Sequence, residues 1–256
     1  MKVTFLGTGT SQGIPIIGCK CEVCSSLDYR NKRLRSSIHI QTDNNESIII
    51  DSGADFRQQV LRERITQLDG LLFTHQHKDH TAGMDDIRGF YFLNGQKPIE
   101  LYATDTVFEQ LKQEFSYMFA EHKYPGVPSV HLNSIQKGVT FNVGNTEILP
   151  IEVYHYKLPV LGFKIKNFAY ITDANKIEDD QMEFLKNLDV LVINALQKEP
   201  HISHFTLDEA KEVIKKLNPK KAYITHIGHK MGLHADVQKD LPENVFLSED
   251  GLILDI

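Results

Sequence analysis

The chain has 256 residues, of which 41% are hydrophobic and 24% are charged, and its formal net charge is −6. This composition is that of a folded globular protein and excludes disordered and fibrous classes. The negative net charge argues against a protein whose main function is to bind a long nucleic acid, because such a protein needs a basic face. We find no apolar run of membrane-spanning or signal-peptide length, so we expect a cytoplasmic protein without membrane contact.

The first half of the chain alternates short apolar runs with turn residues, a pattern that favours strands. Asn44 and Asn45 form a turn signal, so the runs on either side of them are expected to pair as a hairpin. In one helical stretch, Phe56, Val60 and Leu61 are spaced to share a buried face. We predict strands at Val3–Leu6, Ser37–Gln41, Ser47–Asp51 and Leu71–Thr74, and helices at Phe56–Arg64 and Val107–Phe119.

The second half repeats this order of strands followed by a helix. Its last helix is predicted to begin with a capping box formed by Thr206 and Glu209 and to end before Pro219. Because strands precede a helix in each half, we predict one α+β domain over residues 1–256, with two sheets packed face to face and helices outside. The predicted strands are Val139–Asn142, Glu147–Tyr154, Gly162–Ile165, Ala169–Thr172, Val190–Asn194 and Ala222–Thr225, and the predicted helices are Asp179–Asn187 and Thr206–Leu217.

Three histidines and an aspartate follow an apolar strand within six positions, in the sequence His75-Gln76-His77-Lys78-Asp79-His80. Packing these side chains together is costly unless a cation lies among them. His75 and His77, two residues apart in an extended chain, can converge on one ion, and Asp79 and His80 can face a second. Imidazole and carboxylate groups are ligands for zinc, manganese and iron. We therefore predict a centre of two divalent ions, manganese or zinc.

This His-x-His-x-Asp-His motif is similar to the signature of the metallo-β-lactamase superfamily. The resemblance implies a four-layer αβ/βα sandwich with a metal site along one edge of the sheets. It also implies further ligands at strand ends: His155 for the first ion, Asp173 as a carboxylate that bridges both, and His226 for the second. Asp51, at the end of another strand, is interpreted as a supporting carboxylate, with an ordinary turn aspartate as the alternative.

The three cysteines of the chain, Cys19, Cys21 and Cys24, lie within six residues. Cysteines this close together do not form the disulfide framework of a secreted fold. We therefore favour a reducing compartment and a metal site. A structural zinc needs a closed tetrahedral set of four ligands. We predict that His229, three residues after His226, is the fourth ligand, so that one zinc joins the N-terminal loop to the C-terminal half. Three ordinary free thiols are the alternative.

The segment Gly7–Pro15 is rich in glycine but lacks the spacing of a phosphate-binding or dinucleotide-binding loop. We interpret it as a tight turn that brings backbone close to the metals. Together with the cysteines, it narrows the resemblance to the branch that contains the cyclic-phosphate phosphodiesterase of the carbon–phosphorus lyase pathway. The similarity extends from Gly7 to His229 and implies a phosphodiesterase for a small phosphodiester, cyclic or linear.

Such an enzyme uses two metal ions to activate a water as hydroxide and to neutralise phosphate oxygens. We place Asp79 in the catalytic set as well as among the ligands. His204 occupies the position of a catalytic histidine in the similar phosphodiesterases, and we assign it to protonating or stabilising the leaving group. His201 is a weaker candidate for that role, and a capping or surface histidine is the alternative for both.

Three surface stretches receive weaker interpretations. The basic run Tyr29–Arg35 either holds a substrate phosphate or, more commonly for such runs, forms a solvated face. Asp85, Asp86 and Arg88 follow the histidine motif and are candidates for lining the cleft. The stretch Tyr117–Pro128 is interpreted either as a lid or as the contact of a homodimer.

Competing functions exist on the same predicted fold. A tRNA 3′-end processing endonuclease would carry a basic arm that is not visible here, and extended nucleic acid is not an expected partner. Thioester or lactam hydrolysis is disfavoured by the cysteine cluster, whereas a relative in quinone-cofactor biosynthesis remains an alternative. A non-catalytic metal-stabilised scaffold is least favoured, because all seven ligands expected at the two-ion centre are present.

Overall fold

Two seven-stranded sheets form the centre of the molecule in the computed structural model, which describes all 256 residues. The strands are β1 (Lys2–Gly7), β2 (Ser37–Gln41), β3 (Ser47–Ile50), β4 (Gly70–Leu72), β5 (Ile99–Ala103), β6 (Val130–Ser134), β7 (Phe141–Val143), β8 (Thr146–His155), β9 (Leu158–Ile165), β10 (Phe168–Ile171), β11 (Val190–Asn194), β12 (Lys221–Thr225), β13 (Val245–Leu247) and β14 (Ile253–Asp255). The first sheet has the order β14-β1-β2-β3-β4-β5-β6, and the second has the order β13-β12-β11-β10-β9-β8-β7.

Each sheet contains a parallel part and an antiparallel part. Strands β3 to β6 run parallel in the first sheet, and β10 to β13 run parallel in the second. Parallel neighbours need crossover connections, and the helices of the chain lie in several of them. The carboxyl ends of parallel strands meet at one edge of a sheet, which is where ligands bind in many folds of this kind.

The helices lie in the connections and cover the outer faces of the sheets. They are α1 (Glu22–Ser25), α2 (Phe56–Arg62), α3 (Lys78–Thr81), α4 (Arg88–Leu93), α5 (Asp105–Glu114), α6 (Ser116–Phe119), α7 (Asp179–Phe184), α8 (Leu207–Leu217) and α9 (His234–Lys239). Helix α8 begins with the capping box predicted for Thr206 and Glu209. None of the nine helices combines the length and the apolar character needed to cross a bilayer.

Three apolar cores separate four layers. Residues such as Phe5 and Phe163 fill the space between the two sheets. Helices α2, α4 and α5 pack on the first sheet through residues such as Phe56, whereas α7 and α8 pack on the second through residues such as Ile214. This is the four-layer αβ/βα sandwich that the resemblance implied, so the predicted fold class is confirmed.

Most predicted elements are present, with differences at their ends. The hairpin expected around Asn44-Asn45 is formed by β2 and β3, which pair antiparallel. The helix predicted over Val107–Phe119 is instead two helices, because Phe115 leaves the helical conformation at φ −112° and ψ 40°. The burial predicted for Leu61 is wrong, since 59% of this residue is exposed.

Candidate metal centre

The residues predicted to surround the two ions lie where strands of both sheets end. Asp51 directly follows β3, His75 comes three residues after β4, and Asp173 comes two residues after β10. His155 is the last residue of β8, and His226 directly follows β12. Because strands are held rigidly within a sheet, side chains at their ends can keep the fixed geometry that a metal centre needs.

Three histidines form the first group of the cluster. The ring centroids of His75 and His77 are 4.6 Å apart, and that of His155 lies 5.3 Å from His77 and 6.0 Å from His75. Nε2 of His75 faces Nδ1 of His77 at 3.0 Å. The Nδ1–H of His155 donates to the carbonyl oxygen of Ser203 at 2.9 Å, which leaves Nε2 free to bind a cation.

A second group combines two histidines with two carboxylates. Nε2 of His80 lies 3.1 Å from Oδ2 of Asp79 and 3.2 Å from Oδ2 of Asp173. Nδ1 of His226 lies 3.2 Å from the same oxygen of Asp173. Asp173 also has a carboxylate oxygen within 4.8 Å of a ring nitrogen of His155. The Asp173 carboxylate therefore stands between the two groups, where a bridging ligand is expected.

Asp51 supports both groups without joining either. Its buried carboxylate accepts hydrogen bonds from the backbone N–H and the hydroxyl of Thr74, and it lies 2.7 Å from Nδ1 of His80. The hydroxyl oxygen of Thr74 is in turn 2.9 Å from Nδ1 of His75. Carboxylates that hold the second nitrogen of a metal-binding histidine fix the orientation of its ring. The structure thus places Asp51 as the sequence predicted.

Strained backbone occurs at three residues of this cluster. Asp51, Asp173 and His226 have φ values of 65°, 56° and 54°, in the left-handed region that residues other than glycine seldom adopt. Such strain persists where the surrounding structure imposes it, and it is common at active sites. Three strained residues at one cluster agree with a functional rather than an incidental arrangement.

Burial and charge set the protonation of the cluster. Burial, assisted by the neighbouring His80, lowers the pKa of His75 well below its usual value, so its ring is neutral, as a metal ligand must be. Burial also lowers the pKa of His80, but the carboxylates of Asp79, Asp173 and Asp51 outweigh this and raise it well above the usual value. In the absence of metal, a proton on His80 therefore compensates the surrounding negative charge.

Two observations show that these side chains fit divalent cations. Nε2 of His80 is buried and has no hydrogen bond of acceptable geometry, although two carboxylate oxygens lie close to it. In addition, Nε2 of His75 and Nδ1 of His77 lie only 3.0 Å apart, so both nitrogens can bind one ion. A cation beside His80 would satisfy its buried nitrogen, and the set of imidazoles and carboxylates suits zinc, manganese or iron.

His204 lies against this cluster, whereas His201 lies outside it. The ring centroid of His204 is 4.5 Å from that of His155 and 4.9 Å from that of His226, and its buried Nδ1 has no hydrogen-bond partner. Burial lowers the pKa of His204 to about 3. His201 is exposed, with its ring 5.1 Å from that of His204. The position of His204 agrees better with contact to a bound substrate phosphate.

The cysteine cluster is a separate site, and its histidine lies three residues after His226 in the chain. Nδ1 of His229 lies 3.4 Å from the Sγ atoms of Cys19 and Cys21 and 3.6 Å from that of Cys24. A tetrahedral zinc with bonds of about 2.3 Å to sulfur and about 2.0–2.1 Å to nitrogen has sulfur–nitrogen edges of about 3.5 Å. The four side chains thus already have the spacing of a closed zinc site. The backbone N–H of Cys24 lowers the pKa of Cys21 to about 6, while burial raises that of Cys24 to about 11.

The glycine-rich segment connects the two sites. Gly9 pairs with Ile227, and the backbone N–H of Ile227 donates to the carbonyl oxygen of Thr8 at 2.9 Å. A side chain on Gly9 would approach Cβ of Arg33 to 2.9 Å, so the close contact requires glycine here. This segment is therefore the tight turn that the sequence predicted. It packs against Ile227, the residue directly after His226.

Ser36 is a contact of the metal cluster that the sequence did not reveal. Its hydroxyl donates to the carbonyl oxygen of Gly9 at 2.9 Å and lies 3.0 Å from Nδ1 of His226. Ser36 is separated from His226 by 190 positions, and no local pattern distinguishes it from its neighbour Ser37. Only the pairing of the glycine-rich segment with both regions brings it into place.

The basic run Tyr29–Arg35 is engaged within the protein. Arg30 and Arg35 form ion pairs with Asp28 and Asp55. Arg33 is buried, and its guanidinium group donates to a threonine hydroxyl and to a backbone carbonyl. These contacts favour a structural role for the run over the phosphate-binding role considered from the sequence.

Asp85, Asp86 and Arg88 do not lie with the metal cluster. They line a cavity of about 470 Å³ between α2 and α4 that contains none of the predicted ligands. The hydroxyl of Tyr117 donates to Asp85. The interpretation of these residues as part of the cleft stays a prediction, as does the lid or homodimer role of Tyr117–Pro128.

Comparison with known proteins bears on the same cluster. A model of the beta-lactamase superfamily domain matches residues 46–227, a range that contains the histidine motif together with His155, Asp173 and His226. The chain belongs to the β-lactamase superfamily. The chain has the metallo-β-lactamase fold, and among superfamily members it is similar to a protein of the PhnP family.

Three proteins illustrate the similarity. A crystal structure of a new diphosphatase from the PhnP family is 36% identical, with a TM-score of 0.92 over 100% of this chain and 97% of that one. Zinc-bound PqqB from Methylobacterium extorquens is 19% identical, with a TM-score of 0.81 over the full length of both chains, and shows the fold alone. An octanoyltransferase of Porphyromonas gingivalis is 36% identical over 98% of this chain. The chain spans 51% of that relative's length.

Proposed function

We propose that this superfamily member is a metal-dependent phosphodiesterase that hydrolyses a small phosphodiester, cyclic or linear. The observation that carries the proposal is the juxtaposition of two metal-binding groups, joined by Asp173, with the ring of His204. The similarity to a diphosphatase of the PhnP family over nearly the whole of both chains supports it. A phosphate that bridges two ions is the substrate group for which this arrangement is best suited.

In this proposal the first ion is held by His75, His77 and His155, and the second by Asp79, His80 and His226, with Asp173 shared. When bound, the two ions activate a water molecule and neutralise the charge of the phosphate oxygens. Asp79 and Asp173 bring the negative charge that retains two cations in a buried cluster. Asp51 holds the ring of His80, so this ligand presents a fixed nitrogen.

His204 is assigned to the leaving group. Burial keeps its imidazole neutral in the free protein, and the negative charge of a bound phosphate acts in the opposite direction by raising its pKa. A histidine that becomes protonated with the substrate can donate its proton to the departing oxygen, a contribution of about 10²–10⁴ in rate. His201 lies on the solvent side of His204 and has no contact with the ligands.

We further propose that the cysteine cluster holds one structural zinc. Its four side chains already have the spacing of a tetrahedral ion, and none of them belongs to a strand: Cys19 and Cys21 precede α1, Cys24 lies within α1, and His229 begins a short 3-10 helix. The bound zinc would fasten the loop around α1 to the segment that follows His226. Its function is to hold the glycine-rich segment against the metal centre, not to contact substrate.

The octanoyltransferase relative is about twice as long as this chain, so the activity in its name belongs to a longer protein. The donor set here consists of imidazoles and carboxylates arranged for two ions, and this is why we propose phosphodiester hydrolysis and not acyl transfer. An octanoyl thioester is nevertheless included in the test below, together with a pre-tRNA.

The test is hydrolysis of bis-p-nitrophenyl phosphate by the purified protein with added manganese. We expect Asp79→Ala and His77→Ala each to lower kcat/KM by about 10³-fold, equivalent to about 4 kcal/mol of transition-state stabilisation. His131→Ala is the control, because this histidine is exposed on β6 and pairs with Glu100. Full activity in Asp79→Ala, or faster turnover of the thioester or pre-tRNA than of any small phosphodiester, would overturn the proposal.

A further inference from the structure

The turn between β8 and β9 carries an aromatic residue directly after a residue of the metal centre. Tyr156 and Lys157 form this two-residue turn, and Tyr156 directly follows the predicted ligand His155. Tyr156 has a φ of 59°, and 52% of it is exposed. Glycine is preferred at the first position of such a turn, because a bulky side chain there is strained. Burial does not compensate this strain, so packing alone does not explain a tyrosine at this position.

Asn175 fixes the turn to two other loops of the centre. Its Oδ1 accepts the backbone N–H of Tyr156 at 2.8 Å, and its Nδ2 donates to the carbonyl oxygen of Ile202 at 3.1 Å. Asn175 lies two residues after Asp173, and Ile202 lies two residues before His204. The backbone of Tyr156 is thus held by the same loops that carry the cluster.

The surface that results is apolar and positively charged at once. Ile202, whose carbonyl oxygen is joined to this turn through Asn175, is an apolar residue that is 67% exposed, and we refer to Tyr156, Lys157 and Ile202 as the rim. Nζ of Lys157 lies 5.3 Å from the ring centroid of Tyr156, within the range of a cation–π contact. Exposed apolar side chains next to a polar site commonly mark a surface for binding.

We propose that Tyr156 is a specificity-determining residue that stacks on a planar group of the substrate, with Lys157 contacting a neighbouring phosphate oxygen. The substrate class is then a phosphodiester that carries a nucleoside on one side, since a nucleobase joined to phosphate supplies a planar ring and a negative charge at this spacing. Aromatic stacking accepts any base, so the rim selects for a nucleoside and not for a particular one. This inference rests on the proposed phosphodiesterase activity.

Two substrates with the same leaving group test the proposal: thymidine 5′-(p-nitrophenyl phosphate) and methyl p-nitrophenyl phosphate. We expect the wild type to prefer the nucleoside substrate in kcat/KM. Tyr156→Ala should lower that preference by about tenfold or more, mainly through KM, whereas Tyr156→Phe should retain it. If Tyr156→Ala keeps the full preference, the rim does not recognise the base.

Tyr156→Gly provides a second readout that a structural residue would not give. Glycine relieves the positive φ, so we expect a melting temperature equal to or above that of the wild type together with a lost nucleoside preference. Lys166→Gly is the matched control, because Lys166 occupies the same place in the β9–β10 turn with a φ of 52°, outside the metal centre. Loss of preference in Lys166→Gly as well would assign the effect to the fold and overturn the proposal.

Binding separates this inference from the proposed activity. If the wild type hydrolyses neither substrate, the phosphodiesterase proposal fails, and calorimetric titration with thymidine 5′-monophosphate and methyl phosphate tests the rim alone. We expect tighter binding of the nucleotide to the wild type and a difference reduced by about tenfold in Tyr156→Ala. Equal affinities of the two compounds for the wild type would contradict the role of Tyr156 whatever the enzyme's activity.

Discussion

The two candidate metal sites are neighbours in the chain but are built in different ways. His226 and His229 are three residues apart, yet one faces the histidine–carboxylate cluster and the other faces the cysteines. The former cluster is assembled from strand ends of both sheets and from the short helix α3, and His75, His80 and His226 are at most 1% exposed. The cysteines lie in the four-residue helix α1 and the loop before it, and Cys19 and Cys21 are partly exposed.

This difference indicates a division of tasks. Strand ends and a helix packed on a sheet can hold several charged groups close together before any ion arrives, as Asp79, His80 and Asp173 are held here. A loop with little apolar contact of its own obtains its order from the ion instead, because metal binding is then part of the folding free energy. We therefore expect loss of the first cluster to abolish activity with little loss of stability, and loss of the second to do the reverse.

The largest expected effect on stability comes from Cys21→Ser. We expect the variant to lose about one zinc per chain and about 3–5 kcal/mol of unfolding free energy, since loss of a structural metal is among the most costly single changes. Metal analysis and thermal unfolding measure the two quantities. Ser25→Ala, an exposed change on the same loop, is the control. An unchanged zinc content would show that the four-ligand assignment is wrong.

A smaller effect is expected from Asp51→Asn, which tests the rigid cluster. The amide cannot replace a carboxylate that accepts hydrogen bonds from Thr74 and holds Nδ1 of His80. Changes of this kind weaken metal binding by about 10–100-fold. The manganese concentration that gives half-maximal activity should rise by that factor, while the zinc of the cysteine cluster stays bound.

Asp69→Asn is the control for this variant. Asp69 directly precedes β4, at the end of that strand away from His75, and its carboxylate accepts the backbone N–H of Ser47. If both variants change manganese dependence alike, Asp51 supports the fold in general and not the metal centre. If Asp51→Asn also releases the zinc, the two sites are not independent, and the comparison between them fails.

The sequence predicted well which histidines and carboxylates lie together, because the main motif is local. The motif from His75 to His80 can be recognised from its spacing alone, without knowledge of the fold. The resemblance then implied the strand-end residues His155, Asp173 and His226 as further ligands. The cysteine cluster was found because a closed zinc site needs a fourth ligand. Strands such as β11 were predicted to the residue, since a buried parallel strand is a continuous apolar run.

What the sequence did not reveal depends on contacts between distant residues. Ser36 contacts His226 only because the glycine-rich segment lies between them, and Arg33 is buried by partners from both ends of the chain. A basic run gives no sign that one of its members will be buried. The break at Phe115 was missed for the same reason, because apolar spacing continues through it while the backbone turns.

The smallest expected effect, when taken per unit of pH, is the pH dependence of zinc binding, which probes how the loop site is formed. In the metal-free protein the Cys24 thiol, with a pKa of about 11, is protonated at neutral pH, whereas Cys21, with a pKa of about 6, is mostly thiolate. Zinc must displace at least the proton of Cys24, so its affinity should fall by about tenfold for each unit of pH lost between 8 and 6.

Below pH 6 Cys21 also takes up a proton, and the affinity for zinc should then fall more steeply. Competition with a chromophoric chelator at several pH values measures the slope, and release of protons on adding zinc to the metal-free protein gives an independent count. An affinity that does not change between pH 8 and 6 would mean that the thiols are already deprotonated without metal. The loop site would then be preformed like the histidine–carboxylate cluster, and the contrast between a rigid and an ion-ordered site would be lost.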